Sequence, residues 1–251
     1  MRRLGLICAV LLFAFQMGAA NSDILQKKAA EAYTKGDYNT AAQIYESMLR
    51  TDGISSGLYY NLGNAYYKQD EIASAILNYE KALLLSPGDK DIQHNIEIAK
   101  LKTVDKITPI GRFIFSEWVE AIRMQMDSDG WATTAVILFL LFIASLFVFF
   151  FAGRLWMKKS AFFGGIAFIL LCLFANFSAY TQKSKVENRD HAIIFTSSIV
   201  VKSTPDDSGT DLFVIHQGLR VKVIDKVRDW VRVQLEDGND GWIKSENLQI
   251  I

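Results

Sequence analysis

Two long stretches of this chain carry no charged side chain, and they constrain everything around them. One lies between Asp129 and Arg154 and the other between Lys159 and Lys183; their apolar parts are Trp131 to Gly153 and Ser160 to Gln182. A helix rises about 1.5 Å per residue, so a run of about 20 residues or more can cross a hydrocarbon layer roughly 30 Å thick. Segment 154–159 between them holds Arg154, Lys158 and Lys159 and no acid. Short basic loops are retained on the cytoplasmic side. The pattern therefore predicts a transmembrane hairpin, with helices over 131–153 and 160–182 and a cytoplasmic basic loop at 154–159. Both flanking regions are then expected on the opposite face.

The spans offer little chemistry. Ser145, Asn176 and Ser178 are their more polar side chains, and neither contains an acid, a base or a histidine. Ion and proton pathways need such groups, so anchoring is expected rather than transport. Gly164 and Gly165 offer a close-packing face toward the first span or toward a partner helix. Cys172 reads as a small apolar residue of the second span. The only other cysteine is Cys8, so no disulfide is expected in a folded domain.

The N-terminus sets the direction. Arg2 and Arg3 precede an apolar run from Leu4 to Phe15, and Gly18, Ala19 and Ala20 follow. This is the pattern of a secretory signal over residues 1–20. An uncleaved anchor would export the same residues. The expected topology is multi-pass, with both flanking domains outside the cytoplasm. The 27 basic and 27 acidic residues cancel, and no basic run is long enough for a nucleic-acid surface.

Residues 56–89 carry Tyr59, Leu62, Gly63, Tyr66, Ala75, Tyr79, Ala82 and Pro87 at the spacing of a helix–turn–helix unit of about 34 residues. Small residues at Gly63 and Ala75 let two antiparallel helices approach, and Pro87 ends the second. The segment resembles a tetratricopeptide repeat (TPR). Residues 22–55 hold the same register through Ala29, Ala32, Ala41 and Tyr45, with a turn at Gly36-Asp37-Tyr38 and departures at Met48 and Gly53. Residues 90–102 read as a capping helix with Ile92, Ile96, Ala99 and Leu101 inward. Two repeats and a cap form a short α-solenoid over 22–102, in which each unit covers its neighbour's apolar face. The resemblance implies a peptide-binding groove lined by the first helix of each repeat. By position its residues are Gln26, Tyr33, Tyr60, Asn61, Asn64, Tyr67 and Asn95. Asparagine grips a peptide backbone and tyrosine adds amphipathic contact area. The groove carries Asn95 where carboxylate-clamping repeats carry a base.

Residues 103–130 hold Phe113, Phe115, Trp118, Val119, Ile122 and Met126 at near-helical spacing among charges. They are too polar to span, and read as an amphipathic interfacial helix or as one packed on the repeat cap. Asp129 is placed to cap the first span and Trp131 to sit in the interfacial belt. After a charged linker, 183–191, the period changes to two over 192–251. Short strands at Ile193-Ile194, Ile199–Val201, Leu212–Ile215, Val221–Ile224, Trp230–Val233 and Gly241–Ile243 alternate with turns at Asp206–Gly209, Gln217-Gly218 and Asp237-Gly238. Val201-Lys202-Ser203-Thr204-Pro205, Gly218, Trp230–Val233 and Gly241-Trp242-Ile243 resemble a bacterial SH3-like β-barrel. Such a module binds peptides or cell-wall peptides, with Trp230 and Trp242 as rim residues.

No nucleophile–base, metal-ligand or phosphate-loop pattern occurs, and no enzyme, metal or cofactor is expected. The whole reads as a multidomain α + β membrane protein. Its order of signal, repeats, aromatic helix, hairpin and SH3-like module, with Lys102–Ile107 and Ser128–Trp131, resembles the BatE family, the TPR-containing proteins of Bacteroides aerotolerance (Bat) operons. The resemblance implies a bacterial inner-membrane protein working with Bat proteins that carry von Willebrand factor A domains or further TPRs. It also implies an indirect link to a cytoplasmic MoxR-type AAA+ ATPase, and a role in oxygen or envelope stress. Two binding-type domains held on one face by a hairpin lead to the expectation of a non-enzymatic scaffold presenting them to the periplasm. A peptidoglycan tether is the alternative. The topology has a direct check: a reporter fused after Ile251 should be active outside the cytoplasm, and one inserted at Met157 active inside it.

Overall fold

A computed structural model describes residues 22–108, 111 and 114–251. The expected signal, with Cys8, lies outside the described residues, as do Pro109, Arg112 and Phe113. The chain divides into two compact units. One holds the described residues up to Leu83 with Lys90–Ile110 and Asp190–Ile251; the other holds Leu84–Asp89 and Gly111–Arg189.

The helical part of the first unit comprises α1 (22–34), α2 (Tyr38–Thr51), α3 (Ser56–Lys68), α4 (Ile72–Leu85, except its last two residues) and α5 (Lys90–Leu101). Local chemistry sets the boundaries. Asp37 accepts the Thr40 N–H at 3.1 Å and Ser55 accepts the Leu58 N–H at 3.2 Å, each satisfying a free amide at a helix start. Gly36 turns the chain between α1 and α2 with φ +81°. Ala29, Ala41, Ala42, Tyr45, Met48, Leu58, Leu62 and Ala65 form one buried cluster. A Cβ at Gly63 would stand 2.6 Å from the Tyr79 ring, so α3 and α4 close only because position 63 is bare. Ile92, Ile96 and Ala99 are buried, but Leu101 is 76% exposed, because it lies in the last turn of α5 where the chain leaves as a strap.

The same unit contains a seven-stranded antiparallel sheet. Its strands are β1 (His191–Ile194), β2 (Ser198–Lys202), β3 (Asp211–His216), β4 (Arg220–Val227), β5 (Trp230–Gln234), β6 (Asp240–Lys244) and β7 (Leu248–Ile250). The order is β3-β2-β6-β5-β4-β1-β7, with β3 and β7 at its two ends. Period-two alternation turns Ala192, Ile194, Val201, Ile215, Val221, Val231, Val233 and Ile243 into one core shared along the sheet. Gly218 and Gly238 sit in turns at φ +85° and +87°. The sequence pattern does not reveal β7, which is too short to show a period; its register comes from pairing with β1.

A strap formed by residues 102–108 ties the helices to the sheet. Asp105 accepts the His216 backbone N–H at 2.6 Å and faces His216 Nδ1 at 2.8 Å. Ile107 packs against the core of the sheet. The Thr103 methyl lies where a Cβ on Gly218 would come within 2.7 Å. Beside the strap, the deeply buried Glu80 stands 3.4 Å from Arg220 Nε. The sequence reads 103–130 as one amphipathic helix; the structure has a strap here and confines the helix to α6 (Ile114–Arg123). Burying Ile107 and pairing Asp105 are long-range gains that no local pattern displays.

The second unit contains α6, α7 (Ser128–Phe151) and α8 (Leu155–Asn188). Asp127, not Asp129, caps α7, accepting the Gly130 N–H at 2.8 Å. Asp129 instead stands in the first turn, where the helix dipole favours an acid. Trp131 is buried, because Phe174 meets its ring edge-on and its Nε1 donates to the Arg123 carbonyl at 2.9 Å. α7 and α8 meet through small side chains: Ala135, Ser145, Gly165, Cys172, Ala175 and Ser178 are buried. A Cβ on Gly165 would lie 2.7 Å from Ser145 Oγ, so this glycine packs on the first long helix. Ser145, Asn176 and Ser178 donate to carbonyls of their own helices, which satisfies them in apolar surroundings.

Both helices are long and apolar enough to cross a membrane. The segment read as a loop at 154–159 is mostly helical, since α8 already starts at Leu155. The charged stretch read as a linker likewise continues α8 to Asn188, because lysine and glutamate are good helix formers. Lys183 and Glu187 stand 3.8 Å apart along it, and Arg189 ends it in a left-handed turn at φ +45°. The strap makes a prediction. Asp105→Ala leaves the His216 amide without its acceptor and should lower unfolding stability by about 1–3 kcal/mol. Asp105→Asn, which can still accept that N–H, should lose less. Denaturant titration of the detergent-solubilised full chain measures both.

Candidate functional site

The concave side of α1–α3 carries a cleft of about 220 Å³ lined by Gln26, Ala30, Tyr33, Thr34, Tyr45, Asn61 and Asn64. Its chemistry follows from helix geometry. Gln26, Ala30, Tyr33 and Thr34 recur at three- and four-residue steps along α1, so they share one face. Asn61 and Asn64 do the same on α3. Tyr45 comes from α2, where it is a core residue.

Among the described residues, no charged side chain lines this cleft. Burial raises the Tyr33 phenol above its ordinary range, and the nearby Tyr38 and Tyr60 add to the effect. Burial also raises Tyr45, with Tyr33 contributing. Both phenols therefore stay neutral at physiological pH and keep their O–H donors. The Tyr33 ring is further held by an edge-on contact with Tyr38, centroids 5.2 Å apart.

Behind the cleft, Asn64 is the hub of a polar network. Its Oδ1 accepts from the Tyr79 hydroxyl at 2.8 Å and from Asn95 Nδ2 at 2.9 Å. Asn95 Nδ2 also donates to the Tyr60 hydroxyl at 3.1 Å. Burial pushes the Tyr79 phenol far above its normal range, so it too remains a donor. The network spans α3, α4 and α5 and orients Asn64 toward the cleft wall.

Of the residues expected from repeat position, Gln26, Tyr33, Asn61 and Asn64 come together around the cleft. Tyr60 and Asn95 stand in the supporting network instead. Tyr67 lies beneath the Lys102 ammonium, 4.7 Å from its ring centre, and Lys102 also reaches Asp70 at 2.6 Å. Position in the repeat does not disclose Ala30, Thr34, Tyr45 or Tyr79. The α1 stripe signalled the first two; Tyr45 and Tyr79 carry the repeat's core pattern, which conceals their polar ends.

A second surface lies on the sheet. Register pairs Trp230 with Lys244 and Arg232 with Trp242, while Val231, Val233 and Ile243 point inward. Trp230 and Trp242 therefore share the outward face of β5 and β6, half-buried. Lys244 Nζ stands 5.6 Å from the Trp230 ring centre. The bases on this face are paired: Lys202 with Asp211 at 2.5 Å, Arg232 with Asp240 at 2.7 Å and Lys244 with Asp207 at 3.0 Å. What remains is an aromatic face with little net charge.

Two family models match these regions. Residues 57–89 match the tetratricopeptide repeat and residues 197–249 match the bacterial SH3 domain. Both are classes of binding module, for proteins or for cell wall. The chain thus combines modules of protein- or cell-wall-binding type with two helices long and apolar enough to cross a membrane. Comparison with curated protein sequences found no match.

The hub position can be tested directly. Asn64→Ala removes the acceptor shared by Tyr79 and Asn95, and should destabilise the helical part by about 1–3 kcal/mol. Thermal unfolding should show it, with Asn61→Ala, at the cleft wall, changing stability far less.

Proposed function

We propose that this protein is a non-enzymatic membrane scaffold. Its repeats and its SH3-like module face the periplasm, held by a hairpin of α7 and α8. The observation that carries this reading is the cleft: a concave surface lined by amide, hydroxyl and phenol groups and, among the described residues, by no charged side chain. Such a lining suits the backbone of an extended, uncharged peptide segment better than an acidic tail, which would leave its carboxylates unpaired.

The order of segments, which resembles the BatE family, supports placing the scaffold in a Bat-type aerotolerance or envelope-stress complex. Its partners there would be von Willebrand factor A and TPR proteins. Between α7 and α8 the proposed cytoplasmic turn is short, so coupling to a MoxR-type AAA+ ATPase would run through partner helices in the membrane. Photo-crosslinking in intact cells tests the scaffold. A crosslinkable residue at Gln26 or Asn61 of the full chain should capture an envelope protein. Thr34→Arg, which fills the cleft with a charge, should cut that capture several-fold. Absence of capture at both positions, or capture indifferent to Thr34→Arg, overturns the assignment of the cleft.

The second reading is a cell-wall tether, favoured by the paired tryptophans on the outward face of β5 and β6. In that case the solubilised full chain should co-sediment with purified sacculi, and Trp230→Ala with Trp242→Ala should abolish it.

A further inference from the structure

We infer that α6 lies along the membrane–water boundary, with the stripe formed by Phe115, Trp118 and Ile122 seated on lipid. The inference rests on the reading of α7 and α8 as membrane spans, and adds a second, lateral contact with the bilayer.

Helical spacing puts Phe115, Trp118 and Ile122 on one face of α6, and Glu117, Glu120 and Arg123 toward the other. The apolar stripe is uncovered: Phe115, Trp118 and Ile122 are 78%, 70% and 51% exposed. An exposed stripe of this kind in water is unfavourable by the area it leaves wet.

What faces the stripe follows from how α6 is fixed. Two residues of its charged side, Glu120 and Arg123, are committed to the long helices. Glu120 pairs with Lys185 at 2.5 Å and with Arg123 at 3.0 Å. The Arg123 guanidinium donates to the Thr181 hydroxyl and stands 5.5 Å from the Phe177 ring centre. The Arg123 carbonyl accepts from Trp131 Nε1 and from Gln182 Nε2, both at 2.9 Å. With the polar side held against α8, the aromatic stripe is left off those contacts.

The level of that attachment names the occupant. Trp131, Thr181 and Gln182 are among the last uncharged residues before Asp129 and Lys183, where the two apolar stretches end. A helix fastened there sits where hydrocarbon gives way to headgroups. That is the depth at which an amphipathic helix buries an apolar face and at which tryptophan is enriched. A bilayer surface thus covers the stripe without any further partner.

Site-directed spin labelling in vesicles of phosphatidylcholine and phosphatidylglycerol tests this in the full chain. Cys8 and Cys172 are replaced by alanine, and single labels are introduced by Phe115→Cys, Trp118→Cys, Glu117→Cys and, in mid-span, Leu170→Cys. Oxygen partitions into lipid and a nickel chelate stays in water. At 115 and 118 the ratio of oxygen to nickel accessibility should exceed that at 117 several-fold, approaching the value at 170. If 170 is itself open to nickel, the spanning reading fails and this inference with it. If 170 reports lipid while 115 and 118 are open to nickel, or shielded from both reagents by protein, the placement of α6 alone is overturned.

Discussion

Two helices that meet mainly through small side chains leave most of their apolar surface without a partner among the described residues. α7 and α8 bury Ala135, Ser145, Gly165, Cys172, Ala175 and Ser178 between them, while Phe139, Leu140, Phe147, Leu170, Leu173 and Phe177 point outward. Small residues give the close backbone approach on which helix pairs in lipid depend, since lipid removes the hydrophobic drive toward association. The outward side chains then need apolar surroundings that the described chain does not supply. This need orders the second unit. At the end where α7 begins and α8 approaches its close, Trp131, Thr181 and Gln182 converge on Arg123 and hold α6 there. The polar serines and the asparagine within the long helices return their hydrogen bonds to their own backbones, which keeps the apolar surface free of unsatisfied groups.

The first unit answers a different demand. Each repeat is too small to bury its apolar face alone, and the sheet is a small domain with a modest core. The strap serves both. Ile107 adds to the core of the sheet, and Asp105 satisfies the His216 amide at the end of β3. Glu80 and Arg220 add a partly buried ion pair alongside. Removing one partner of such a pair costs more than forming the pair contributes, because it leaves a buried charge uncompensated. The helical part and the sheet consequently belong to one compact unit.

Much of this was legible in the residues, and for identifiable reasons. Helix–turn–helix spacing placed α3 and α4, and period-two alternation placed the strands from β1 to β6. Periodicity is a local property, so it survives without knowledge of the fold. It misled where local and long-range demands diverge. The basic segment at 154–159 and the charged segment after Gln182 look like loops by polarity, yet their lysines and glutamates extend α8. Residues 103–108 look like the start of an amphipathic helix, yet the burial of Ile107 and the pairing of Asp105 draw them out as a strap. Within the cleft, repeat position identified Gln26, Tyr33, Asn61 and Asn64. It could not separate them from Tyr60, Tyr67 and Asn95, because all lie on the same helix faces and differ only in what they touch.

Sequence alone determined most of the helices and the strands from β1 to β6, which stretches are apolar enough for a bilayer, and that amides and phenols would share the first-helix faces of the repeats. These follow from side-chain type and spacing within one element. Tertiary structure alone decided the rest. Asn64 became a hub because Tyr79 and Asn95 arrive from two other helices. Asp127 rather than Asp129 took the cap because only its carboxylate reaches the Gly130 amide. Asp105 met His216 across 111 positions of sequence. Such contacts depend on where the backbone returns in space, and the energy that selects them is shared among residues too far apart for any spacing rule to connect.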